Sequence, residues 1–141
     1  MSDRFQVSAV IPASAKRIYD AWLDGREHSA MTGGKATASA KAGSRFTAWD
    51  EYIEGRTLQL KPPRRIVQSW RTTEFPKDAP DSRLEVRLSP AKGGTRVTLV
   101  HSEVPDGQSD SYKQGWRDYY FEPMQAYFAK YGASGRRKTR R

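Results

Sequence analysis

Residues Ser44 to Arg71 constrain the fold of this chain more than any other stretch. They read as three short strands folded back on one another, with Trp49 and Trp70 as the large apolar anchors. Gly55 interrupts the middle strand, and Pro62-Pro63 supplies the turn before the last one. Strands joined by connections this tight form an antiparallel meander. The apolar face of such a sheet has to be buried against another layer. The sequence offers a cover at residues 109–131. There Tyr112, Trp116, Tyr119, Tyr120, Pro123, Met124, Tyr127 and Tyr131 advance by three or four residues, which places them on one broad helical face. Pro123 removes one ladder hydrogen bond, so a kink is expected near Phe121. A curved sheet closed by one long helix is an architecture that encloses ligands.

The remaining segments complete that plan. Phe5, Val7, Ala9 and Ile11 alternate as the inward face of a strand that Pro12 ends. Ser14 is a helix N-cap, after which Ala15, Ile18, Tyr19, Trp22 and Leu23 recur at helical spacing. Arg26 to Met31 adds a further helical turn, stopped by Gly33-Gly34. Lys35 to Lys41 is a weak strand, small and alanine-rich. Leu84, Val86 and Leu88 alternate cleanly. Gly93-Gly94 makes a hairpin turn into Thr95–Val104, where Val97, Leu99, His101 and Glu103 share a face. The expected fold is α+β, with one or two short helices after the first strand. A curved antiparallel sheet of about six or seven strands then wraps a long C-terminal helix.

Several function classes are excluded by what the chain contains. There is no cysteine, which removes thiol catalysis, cysteine-bound metal and disulfides. No apolar run approaches the ~20 residues that span a bilayer, and Met1 to Val7 has no signal-peptide pattern. A soluble, cytoplasmic protein is expected. The net charge of +9 owes five charges to Arg136, Arg137, Lys138, Arg140 and Arg141. Without these the rest carries about +4, ordinary for a soluble domain. Residues 1–131 are therefore read as one domain and 132–141 as a disordered basic tail. The favoured reading is a solvated tail that aids solubility; attraction to nucleic acid, anionic lipid or an acidic protein surface would be nonspecific, so no specific nucleic-acid partner is expected.

Candidate site chemistry is sparse. His28 and His101 are the only histidines, and no His-Glu-x-x-His pattern exists, so neither metal nor cofactor is expected. His101 with Glu103 could act as an acid/base pair, since burial would raise a carboxylate's pKa. The plainer reading, a satisfied core histidine and a solvated glutamate, is favoured. Trp22, Trp49, Trp70 and Trp116 fit either a pocket for a flat apolar ligand or plain core. Leu99, His101, Tyr112, Tyr120 and Met124 join them as candidate ligand-binding residues.

In this order and spacing, a set of short motifs resembles the helix-grip domain of the START-like, Bet v-type superfamily (SRPBCC). Within it the chain is similar to bacterial homologues of the C-terminal domain of the activator of heat-shock protein 90 ATPase. The motifs are Ile18-Tyr-Asp-Ala-Trp22, His28-Ser-Ala-Met-Thr-Gly-Gly34, Phe46-Thr-Ala-Trp-Asp50, Tyr52-Ile-Glu-Gly55, Ile66-Val-Gln-Ser-Trp-Arg71, Thr98-Leu-Val-His101, Gly115-Trp116 and Pro123-Met124. They span residues 5–128. Glu51 departs from the pattern, which leads to glycine after Trp-Asp, and a side chain there argues against a positive φ. The resemblance implies little about activity, since superfamily relatives carry lipids, hormones or polyketides and a few are enzymes; the expected function is a binding module with an internal apolar cavity for a hydrophobic or lipid-like small molecule. Two alternatives stand beside it: a chaperone ATPase-regulating interaction protein, which the family name implies, and a cyclase- or dehydratase-type cavity enzyme using His101 and Glu103 with a hydroxyl of Tyr112 or Tyr120. The partners expected are thus a hydrophobic small molecule or a chaperone, for a monomer or homodimer without a membrane span.

Overall fold

The inward alternation of Phe5, Val7 and Ile11 is realised in strand β1 (Ser2–Ile11), where all three are buried. This computed structural model describes residues 2–131, so the basic tail expected at 132–141 lies outside the described residues. Ser14 caps helix α1 (Ala15–Trp22), its hydroxyl accepting the amide of Arg17 at 3.1 Å. Ile18, Tyr19, Ala21 and Trp22 form its buried stripe. Asp24 starts a second helix, α2 (Gly25–Thr32), by accepting the amides of Arg26 and Glu27. Gly33, at φ 91°, ends it in the left-handed conformation that glycine adopts without strain.

Lys35 to Lys41 does not form a strand. Its only pairing is an isolated bridge, Thr37 to Thr47, with both backbone bonds at 3.0 Å and the hydroxyls 2.8 Å apart. Small and lysine-rich segments have little side chain to pack on a pleated surface. Five more strands follow: β2 (Arg45–Ala48), β3 (Ile53–Lys61), β4 (Arg65–Thr72), β5 (Ser82–Ala91) and β6 (Gly94–Pro105). They join β1 in one six-stranded antiparallel sheet, order β1-β6-β5-β4-β3-β2. Gly55 does not interrupt β3. It lets β3 approach so closely that a Cβ there would fall 1.9 Å from the Ser69 carbonyl oxygen.

The β2–β3 turn corrects the expectation for Glu51. Trp49, Asp50 and Glu51 have φ of 52°, 56° and 70°, three successive left-handed residues without a glycine. Each carries a steric cost on the order of 1 kcal/mol. The Asp50 amide bonds the Lys35 carbonyl at 2.9 Å and the Tyr52 amide bonds that of Trp49 at 3.2 Å, which holds the turn in place.

The C-terminal helix packs on the inner face of the sheet. It consists of α3 (Ser109–Trp116), a π-helical turn (Arg117–Phe121) and α4 (Glu122–Tyr131). The expected irregularity near Phe121 therefore takes the form of one extra residue in a turn, with the Glu122 amide bonding the Arg117 carbonyl. As a result Tyr120 and Phe121, adjacent in sequence, are both buried, between Tyr112 and Trp116 upstream and Met124 and Phe128 downstream. Against them the sheet presents Ile66, Leu84, Val86, Val97 and Leu99, all fully buried. Each such side chain contributes about 1.5–3 kcal/mol by leaving water.

Candidate functional site

One end of the inner face is not filled by side chains. Between the β2–β4 end of the sheet and the first half of the C-terminal helix lies a cavity of about 430 Å³. The sheet side supplies Trp49 from the left-handed turn, Tyr52 and Ile53 at the start of β3, and Trp70 from β4. The helix side supplies Ser111, Tyr112, Gly115 and Trp116 from α3, then Tyr119 and Tyr120 from the π-turn. Ser111 is exposed and Tyr119 keeps 57% of its surface in water, so the cavity opens to solvent between them. Gly115 contributes space: a Cβ there would find its nearest heavy atom, in the Tyr119 ring, 3.9 Å away.

Every lining residue is uncharged, and aromatic rings dominate the wall. Most of the hydroxyls are already committed. Tyr52 donates to the Glu74 carboxylate, and Tyr112 donates to Gln108 at 2.5 Å while lying 2.6 Å from the Thr72 hydroxyl. Tyr120 lies 2.7 Å from Nε2 of His28. Burial raises the pKa of all three phenols above its ordinary value, so they stay neutral. The indole N–H of Trp49 differs. It is buried and has no hydrogen-bond partner among the described residues.

The residues singled out from the sequence divide into two groups. Trp49, Trp70, Tyr112, Trp116 and Tyr120 come together in the cavity wall. Trp22, Leu99, His101 and Met124 stand behind it in the core, with Trp22 stacked on Trp116 at 6.3 Å. His101 is fully buried, held between Ser82 at 2.8 Å and the indole of Trp116 at 3.2 Å. Desolvation lowers its pKa to about 3. Glu103 does not share its face. A bulge in the β1–β6 pairing puts Glu103 at φ 60° and exposes it, so the two form no acid/base pair. Sequence reading missed Tyr52, Ile53, Ser111, Gly115 and Tyr119. Gly115 was the available signal, since a glycine inside an aromatic helix marks a place kept open.

His28 resembles His101 in its surroundings. Nδ1 donates to the Trp22 carbonyl at 2.9 Å and Nε2 accepts from Tyr120, with desolvation lowering the pKa to about 4. Among the described residues no three His, Cys, Asp or Glu side chains converge to hold a metal ion, and no helix is long and apolar enough to cross a membrane.

Comparison with known proteins places these features in a family. The model for "Activator of Hsp90 ATPase homolog 1-like protein" matches residues 12–129. The human activator of 90 kDa heat shock protein ATPase homolog 1 is 27% identical over 120 residues, which is 85% of this chain and 35% of the human protein. The chain thus spans about a third of that relative's length. Among solved structures, an HSP90 activator from Plasmodium falciparum superposes with a TM-score of 0.81 at 18% identity, covering 89% of this chain and 96% of the other. The Aha1 dimer from Colwellia psychrerythraea gives 0.70 at 12% identity, covering 96% and 99%. At these identities the two structures speak for the fold.

Proposed function

The chain belongs to the Activator of Hsp90 ATPase homolog 1-like family, and from that premise we propose that it is a binding module whose cavity holds a neutral, largely apolar small molecule with a planar portion. The observation that carries this reading is the uncharged aromatic wall around about 430 Å³ of open space. Pockets of this size and lining suit drug-sized ligands, with a few polar groups fixing orientation.

The test uses N-phenyl-1-naphthylamine, a neutral flat fluorophore, with tryptophan emission as the readout. Saturable energy transfer is expected, and Gly115→Leu should weaken it about tenfold by filling the cleft. Unsaturable transfer, or a leucine variant that binds as well as the parent, would sink the proposal. Native mass spectrometry of freshly purified protein would then name the class of any retained molecule.

A second reading is regulation of an Hsp90-type chaperone ATPase. It is favoured by the match to nearly the whole of the Plasmodium falciparum activator structure, not to a fragment of it. Adding the protein to the cognate chaperone should raise ATP turnover; unchanged turnover at saturating protein excludes this role.

A further inference from the structure

The outer face of the sheet, turned away from the helices, carries charge that neither the cavity nor the core explains. We propose that this face docks the phosphate backbone of duplex nucleic acid, without preference for base sequence. It is independent of the cavity.

Register places the cations. Arg65 of β4 lies directly opposite Arg87 of β5, and Arg83 sits between Ser69 and Ser102. Arg96 of β6 lies opposite Ser89 and donates to the Ser8 hydroxyl at 3.2 Å. Arg4 and Arg56 extend the array toward the two edges, both exposed. The one carboxylate near its centre, Glu85, is shared by Arg65 at 2.5 Å and Arg87 at 3.1 Å. None of Arg4, Arg56, Arg83 and Arg96 is in an ion pair among the described residues. Like charges facing one another across strands oppose pairing. Glu85 offsets that repulsion at the Arg65–Arg87 pair, while Arg4, Arg56, Arg83 and Arg96 keep their charge for an outside anion.

The chemistry of the face selects the anion. Guanidinium forks match phosphate oxygens bidentately, and the interleaved Ser8, Ser69, Ser89, Thr98 and Ser102 hydroxyls are further phosphate-type donors. A protein interface would need aromatic or apolar anchors, and a bilayer surface would need residues to insert. The only exposed large hydrophobic in this sheet is Leu58. The outward side chains of these strands include no aromatic ring on which single-stranded bases could stack. Arg83 and Arg87 stand four residues apart on one strand, ~13 Å. That is close to the ~12 Å width of a duplex major groove, so the pair can reach phosphates on both lips.

The experiment measures anisotropy of a short fluorescein-labelled DNA duplex of mixed sequence against the full chain, over a KCl series. The decisive comparison is between two variants of equal net charge. One is Arg83→Ser/Arg87→Ser/Arg96→Ser; the other is Arg137→Ser/Arg140→Ser/Arg141→Ser. At about 100 mM KCl the sheet variant should bind about tenfold more weakly, with the salt slope shallower by about 2 to 3, and the C-terminal variant should change less than about threefold. Lysine at the three sheet positions should keep affinity within about threefold, which separates lost charge from lost folding. Equal losses in the two serine variants would overturn the proposal. So would absence of duplex binding, or competition by polyglutamate or phosphatidylserine vesicles as effective as that of unlabelled duplex.

Discussion

The indole N–H of Trp116 donates to Nδ1 of His101 at 3.2 Å, and that contact fixes the tautomer of the imidazole. Nδ1 must be bare to accept it, so the proton sits on Nε2. There it meets the Ser82 hydroxyl, whose own hydrogen goes to the Trp70 carbonyl at 2.7 Å. Every donor in this Trp116–His101–Ser82–Trp70 relay has one acceptor. The histidine is thereby a neutral strut between β4, β5, β6 and the C-terminal helix, ringed by Phe5, Trp70 and Tyr112.

Acid should unfold the protein through its two histidines. Burial depresses His101 to about 3 and His28 to about 4, against 6.5 in the unfolded chain. Below pH ~6.5 the unfolded chain therefore binds more protons, so stability is complete above that pH and falls as pH drops. Each histidine accounts for a loss of about 2 to 3 kcal/mol by pH ~4.5. Melting temperatures from pH ~7 to ~4.5 should fall steeply, and less so in His101→Gln. Imidazole NMR signals that titrate near pH ~6.5 would contradict both assignments.

Gly115→Ala should raise stability by about 0.5–1 kcal/mol, because glycine in a helix loses more freedom than alanine and the site has room for a Cβ. Chemical denaturation measures this directly. A destabilised variant would mean that the backbone here is not relaxed helix.

Glu51→Gly should also stabilise, by about 1 kcal/mol, through relief of a left-handed side chain at φ 70°. A gain in the urea midpoint at unchanged slope is the expected signature. If the midpoint falls instead, the entropy cost of the added glycine outweighs the relief.

Gly55→Ala should be the most damaging of these changes, costing more than about 3 kcal/mol. The new methyl would meet the Ser69 carbonyl and the Phe46 ring, so β3 and β4 would have to part. Circular dichroism and soluble yield report the outcome; a variant as stable as the parent refutes the close approach.

Element order was legible because periodicity records which side of an element is buried. Val97, Leu99 and His101 alternate as written and point inward, and Ile18, Tyr19 and Trp22 fall on one helical stripe. What escaped were departures from periodicity. Glu103 should follow His101 by alternation, but the bulge adds a residue and exposes it. Tyr119, three residues after Trp116, belongs to the same stripe by spacing and is exposed in the π-turn. The cavity wall was half legible for a related reason. Tryptophans announce apolar surroundings, but nothing local separates Trp49, which lines open space, from Trp22, which is packed on all sides.

The extra residue at Arg117–Phe121 gives the C-terminal helix two independent phases. Upstream of it Ser111 and Gly115, joined by Tyr119 within the turn, line the cleft; downstream, Met124 and Phe128 seal the core. Because the phase is reset between them, substitutions at the opening need not rotate the residues that hold the sheet. What the cleft admits can thus drift in evolution while the architecture around it stays the same.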